Sequence, residues 1–326
     1  MKKILAVLSM LAACITLGAQ DNAGKRFAVV EFSTNFMREE PAYEAENGDQ
    51  ALMGTVVEVI GEDSYWRKIV SPEPYTAWVN NMGIVEMSGK EINAYIASDK
   101  YICTADFTHI YSAPDAKSDR VSDFVMGCLV RQQTDGKGKA VKKGRFVGVI
   151  LPSGKTGWVL RDEVEDFGRW TASRDMSADS IISTAFRFLG VPYMWGGTSI
   201  KHVDCSGLSR SVYFMNGILL PRNASQQAKV GEDIPLDQIR RGDLLFFGTA
   251  ATAEKKERIT HVAIYMGDNH YIHSAQVVRI NSLDKTAEDY GGRQPIRARR
   301  ILGHVDDGTG IISIAKSPYY FTQESE

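Results

Sequence analysis

Cysteine is scarce in this chain, with four among 326 residues, so no network of disulfides can stand in for a packed apolar core. Neither a CxxC pair nor an HExxH helix accompanies the six histidines, which removes the usual zinc patterns; no metal and no cofactor is expected. Net charge is lacking as well. With 38 Lys and Arg against 40 Asp and Glu the formal charge is −2, falling to −4 without Lys2 and Lys3, and no basic tract points to nucleic acid. Beyond roughly the first twenty residues no apolar run is long enough to span a bilayer. An ordinary apolar content of 44% excludes a disordered chain, and the length suits two or three domains.

What is present begins with a leader. Met1-Lys2-Lys3 followed by the apolar run from Ile4 to Ala13 has the charged start and short hydrophobic centre of a secretory signal, expected over residues 1–19. Export to a periplasm or to the medium is therefore expected. Two processing routes are open: Leu17-Gly18-Ala19 suits cleavage before Gln20, while Leu11-Ala12-Ala13-Cys14 resembles a lipoprotein box. Membrane attachment follows only if Cys14 is lipidated, and apolar Ile15-Thr16-Leu17 after it favours soluble release. Outside the cytosol Cys103 and Cys128 have two fates, a disulfide or a pair of buried thiols, and the sequence does not choose between them. Cys205 is then the odd thiol.

Up to about Ser177 the chain runs in short β-type segments broken by Gly, Pro and Asp, and the pattern repeats. Pro41 with Met53-Gly54 matches Pro114 with Met126-Gly127 at an offset of 73, and Thr76-Ala77-Trp78-Val79 matches Thr156-Gly157-Trp158-Val159 at an offset of 80. A seven-residue insertion between Thr134 and Lys143 accounts for the difference. Two small partly open barrels are predicted, over residues 25–93 and 100–168, with a short connection at 94–99 and a link at 167–176. Both resemble bacterial SH3-like domains.

The third region, 175–326, opens with a helix: Ser177 caps it, Ile181, Ile182, Ala185, Phe186 and Leu189 form a stripe, and Gly190 stops it before Pro192. A second helix starts at Cys205 and turns Leu208, Val212 and Met215 inward. Strands near 243–248, 259–266, 270–276 and 299–302 follow, giving an α+β domain with helices packed on an antiparallel sheet.

Cys205 stands between Asp204 and Ser206, after a glycine-rich loop and in the first turn of that second helix. Free N–H groups and the positive end of the dipole favour thiolate there, so Cys205 is the candidate nucleophile. His261 on one strand is the candidate base, and His273 on the neighbouring strand of a hairpin is placed to orient it. A buried structural thiol, a core histidine and a three-ligand zinc site are the alternative readings of these three residues; their co-occurrence argues against each. The Cys205 N–H is available to an oxyanion.

From about Ser177 to Ile301 the chain resembles the NlpC-type cysteine peptidases of bacterial cell walls, a papain-like family. The resemblance rests on Gly190-Val191-Pro192-Tyr193-Met194-Trp195-Gly196-Gly197, Asp204-Cys205-Ser206-Gly207, Leu220-Pro221-Arg222-Asn223-Ala224-Ser225-Gln226-Gln227 and Arg241-Gly242-Asp243-Leu244-Leu245-Phe246-Phe247, then His261 and His273. It implies a catalytic triad of Cys205, His261 and His273 with a thioester intermediate. Several such enzymes preceded by SH3-like domains cut murein peptides between γ-linked D-glutamate and a diamino acid, and need a free N-terminal L-alanine. On that resemblance Asp204, Ser206 and Ser225 would bind the substrate amine and Tyr75 would close the pocket; a first-domain acid, Glu40 or Glu46, is a further candidate, and Tyr193 is open to two readings, assisting the oxyanion or packing as a core aromatic. The expected partner is thus a peptidoglycan peptide, L-Ala-γ-D-Glu-diamino acid. An endopeptidase on crosslinked wall and a non-catalytic wall-binding protein are the rival readings.

Overall fold

The computed structural model describes residues 24–323; the expected signal segment and Cys14 lie outside the described residues. Seven strands build the first unit: β1 (Arg26–Val30), β2 (Thr34–Arg38), β3 (Asn47–Leu52), β4 (Val56–Asp63), β5 (Trp66–Val70), β6 (Thr76–Asn80) and β7 (Ile84–Met87), in the order β3-β2-β6-β5-β4-β1-β7. Helix α1 (Gly89–Ala97) follows. The second unit has β8 (Lys100–Cys103), β9 (Phe107–Tyr111), β10 (Arg120–Val125), β11 (Leu129–Gln132), β12 (Lys142–Lys143), β13 (Phe146–Ile150), β14 (Thr156–Leu160) and β15 (Val164–Asp166). Its order, β10-β9-β14-β13-β11-β8-β15 with β12 beside β13, repeats the first position for position. The Trp-Val strands β6 and β14 share one alternation of buried and outward residues, as a half-buried strand should. The seven-residue insertion falls within the connection of the β11–β13 hairpin, which also carries the β12 edge.

Two expected connections are structured. Residues 89–97, split between the expected first domain and its connection, form α1, because Ser88 and Glu91 make a reciprocal capping box and Ile92, Tyr95 and Ile96 are buried against Phe27 and Val29. The expected link at 167–176 contains α2 (Phe167–Ala172), whose Phe167 and Trp170 lie inside the core of the third unit. Cys103 and Cys128 are free buried thiols, not a disulfide. Their sulfurs turn to different acceptors, Cys128 Sγ to the Ser33 carbonyl and Cys103 Sγ to those of Ala105 and Phe124.

The third unit contains α3 (Ala178–Phe186), the bridge strands β16 (Thr198–Ser199) and β17 (His202–Val203), α4 (Cys205–Phe214), β18 (Ile218–Leu219) and the short α5 (Ala224–Gln227). Six strands form its sheet: β19 (Glu232–Ile234), β20 (Leu244–Thr249), β21 (Arg258–Gly267), β22 (His270–Ala275), β23 (Val277–Ser282) and β24 (Arg297–Arg300), in the order β19-β24-β20-β21-β22-β23. A final strand β25 (Ile312–Ser313) pairs with β18. Ser177 caps α3 as expected, but Phe186 and Leu189 are exposed and Phe188 fills the core instead, because α3 ends at Phe186 and the next turn swings round. Leu208, Val212 and Met215 of α4 are buried against Phe246, Val262, Ile264 and Ile272 of the sheet. The fold is therefore two SH3-like β units followed by a papain-like α+β unit. Among the described residues no helix is long and apolar enough to cross a membrane.

Candidate active site

Asp204 fixes the start of α4. Its carboxylate accepts from the Gly207 N–H at 2.7 Å, capping the helix, and from the Gly196 N–H at 3.0 Å. Gly207 lets the glycine loop close on this turn, since a Cβ there would sit 1.9 Å from the Gly197 carbonyl oxygen. Cys205, half-buried at the first helical position, is held beside β21: backbone N–H groups of Val262 and Ser206 donate to its sulfur. Registered pairing between β21 and β22 stops at Ile264 and Ile272, so the strands part at the level where α4 begins.

On those parted strands the two histidines meet. His261 Nε2 lies 2.7 Å from His273 Nδ1, and His273 Nε2 lies 2.8 Å from Asn281 Oδ1 on β23. The Asn281 amide is itself oriented, because its Nδ2 donates to the Asp289 carbonyl at 2.7 Å. An oxygen faces His273 Nε2, so that nitrogen carries the proton; His273 Nδ1 must then accept, and His261 Nε2 donate. This leaves the lone pair of neutral His261 on Nδ1, the nitrogen a base needs free. Asn281 has no place in the expected triad. Hairpin alternation from His273 could have found it, since His273 pairs with Arg279, two residues before it.

Burial dominates the electrostatics. It pushes the Cys205 thiol up to about 11, with the neighbouring Asp204 carboxylate adding to it and the N–H donors and Arg222 opposing. The expectation of a resting thiolate is thus corrected: a helix N-terminus lowers a thiol, but here low dielectric and an adjacent anion outweigh it. Burial likewise holds both imidazoles below their usual range, and His273 and Arg293 push His261 further down. The resting pair is neutral thiol and neutral imidazole, suited to proton transfer at the moment of attack.

An open cleft of about 1090 Å³, solvent included, brings together Tyr75, Asp204, Cys205, Ser206 and Ser225 with Glu39, Glu46, Trp195 and Arg258. Of the two candidate acids Glu46 lines it and Glu40 does not; Glu39 stands there as well, and the Tyr75 hydroxyl donates to Glu39 at 2.6 Å. Asp204 is saturated: besides its two backbone donors it takes a bidentate contact from buried Arg222, at 2.5 and 3.2 Å, and the Ser206 hydroxyl at 3.2 Å. Glu39 and Glu46 are therefore the carboxylates with capacity to spare. Tyr193 lies near Cys205 and Asp204, which together with burial raise its phenol to about 12. Trp195 is 59% exposed and lines the cleft. Gly196 lets the loop pack closely on the first unit, since a Cβ there would lie 2.2 Å from the Asn47 carbonyl oxygen.

Comparisons with known proteins match both the β units and the third unit. A model described as the NlpC/P60 family matches residues 190–296, and one described as a bacterial SH3 domain matches residues 33–84. A gamma-D-glutamyl-L-lysine dipeptidyl-peptidase of Bacillus cereus is 28% identical over 241 residues, 71% of this chain and 68% of that protein. A protein of Haemophilus influenzae described as a probable endopeptidase NlpC homolog is 30% identical over 138 residues, 41% of this chain and 69% of its own length. The crystal structure of an NlpC/P60 family protein from Bacillus cereus superposes with a TM-score of 0.67 at 22% identity, covering 85% of this chain and 99% of the other, which shows a shared fold.

Proposed function

We propose, from the premise that this chain belongs to the NlpC/P60 family of cysteine peptidases, that it is exported and hydrolyses the γ-D-glutamyl amide to a diamino acid in murein peptide fragments bearing a free N-terminal L-alanine. Cys205 attacks the amide carbonyl as His261 Nδ1 takes the thiol proton. His273, oriented by Asn281, holds the His261 ring in place, and the Cys205 N–H faces the oxyanion. His261 then gives its proton to the leaving amine, and water resolves the thioester through the same base. The observation that carries this reading is the hydrogen-bonded line Asn281–His273–His261 on strands that part beside the Cys205 thiol.

The fragment reading rests on the cleft wall. Glu39, Glu46 and Tyr75 of the first β unit line the cleft that holds Cys205, and the two acids suit an ammonium group. Export follows the leader-like residues 1–19, and Cys14 would decide membrane attachment.

The test is mass spectrometry of products from L-Ala-γ-D-Glu-diamino-acid peptides with free and acetylated amines. Wild type should cut the free-amine peptide at the γ-glutamyl bond, and acetylation should slow it at least about 100-fold, the cost of a lost charge-assisted contact left unpaired. Cys205→Ala should abolish turnover with an unchanged circular dichroism spectrum. Turnover retained by Cys205→Ala sinks the mechanism; indifference to acetylation sinks the specificity.

A further inference from the structure

Among the charged residues lining the cleft a single cation, Arg258, stands against Glu39, Glu46 and Asp204. Those acids belong to the first unit and the start of α4, whereas Arg258 opens β21, the strand of His261. Simple alternation would put Arg258 and His261 on opposite faces. The ladder to β20 says otherwise: Phe247 pairs with His261, Gly248 with Ile259 and Thr249 with Arg258, with a bulge that inserts Thr260. Phe247 and Thr249 share a face, so His261 and Arg258 do too, about 7 Å apart along the strand. Arg258 is exposed and has no ion-pair partner among the described residues; adjacent Glu257 is held by Arg297 at 3.3 Å.

We propose that Arg258 binds a side-chain carboxylate of the leaving residue, so that the enzyme selects a diamino acid with a second carboxylate, of the diaminopimelate type, over lysine. This deepens the proposed function and rests on it. His261 protonates the leaving amine, so the leaving residue lies along β21, while the glutamyl α-carboxylate stays with the acyl half on the Cys205 side. A diaminopimelate side chain carries its second carboxylate several bonds beyond the scissile nitrogen, a length that suits a guanidinium borne about 7 Å along the strand at the backbone, and a guanidinium can pair with it in bidentate fashion. Lysine brings no second carboxylate to that place, so Arg258 gains no contact with it.

Three peptides test this: L-Ala-γ-D-Glu joined to meso-diaminopimelate, to L-lysine, and to diaminopimelate with its side-chain carboxylate amidated. Wild type should favour the first by about 10-fold or more in kcat/KM. Arg258→Gln should lose about 10- to 100-fold on that peptide, mostly in KM, and stay within about 2-fold on the other two. A Gln variant that matches wild type on the diaminopimelate peptide, or that weakens all three alike, overturns the assignment. Wild type that cuts none of the three removes the proposed function itself, an outcome separate from any effect of Arg258.

Discussion

Asn281 is fixed at both ends, its Nδ2 on the Asp289 carbonyl and its Oδ1 on His273, so one side-chain amide sets the tautomer of two rings. Asn281→Ala should lower kcat on the order of 10- to 100-fold with little change in KM, because the base is misaligned and the binding cleft is untouched. Asn281→Asp puts an anion against His273 Nε2 and should raise the pH of the acid limb of kcat/KM; histidine nitrogen chemical shifts report the tautomer directly, and unaltered shifts in Asn281→Ala would refute the relay. In the native site burial lowers both imidazoles, so the base form should persist well below pH 6.5 and the acid limb should fall there. The same shifts act on stability. Below about pH 6.5 an unfolded histidine takes up a proton that the folded one refuses, so stability should decline as the pH falls from about 6.5, and His273→Gln should flatten that decline in melting curves. A helix-start cysteine between Asp204 and Ser206 was legible as a nucleophile from spacing alone; its protonation state was not, since burial is a property of the packed site.

At the scale of elements, the repeated Met-Gly pair shows what a sequence repeat can and cannot say. Gly54 and Gly127 both adopt positive φ, +84° and +86°, after buried methionines. Their surroundings differ. A Cβ on Gly54 would lie 2.2 Å from the Leu129 carbonyl oxygen of the second unit, where Leu129 N–H donates to Met53, whereas Gly127 faces Leu52 of the first unit and Phe214 of α4. Gly54→Ala therefore combines a left-handed backbone with a backbone clash and should cost more than about 2 kcal/mol in denaturant unfolding, while Gly154→Ala, at positive φ with open space around it, should cost only about 1 kcal/mol. The capping box of α1 was written in the sequence as Ser88-x-x-Glu91, yet the region read as β barrel and connection because only tertiary contact with Phe27 and Val29 makes so short a helix stable.

Across the whole molecule, the first β unit is tied to the catalytic unit by buried charge. Arg222 contacts Asp49 at 2.7 Å and Asp204 at 2.5 Å, and Arg210 joins Asp49 at 2.8 Å to Glu73 at 2.7 Å. Asp49 and Glu73 come from the first unit, both arginines from the third, and Thr198 is hydrogen-bonded across the same seam to Asp49 and Gln50. Asp49→Ala leaves two buried guanidinium groups short of an anion and should destabilise by about 3–5 kcal/mol. It should also lower activity, because Arg222 steadies the Asp204 cap under Cys205; full activity in a correctly folded Asp49→Ala protein would separate the seam from the site. The chain end adds a second tie, with Tyr320 and Phe321 packed on Phe167 of α2 and Tyr319 reaching the first-unit cluster.

The sequence by itself determined the two repeated β units and the helices before the strands, and it marked Cys205, His261 and His273 as the candidate triad, because period, capping and motif spacing are local and survive in one dimension. Tertiary structure decided the rest: which acids face the cleft, that Asp204 is already spent on Arg222, that Asn281 completes the histidine line, and that a bulge turns Arg258 to the side of His261. Each depends on residues distant in the chain meeting in a low-dielectric seam, where burial sets charge states and a single inserted residue reverses a strand's faces.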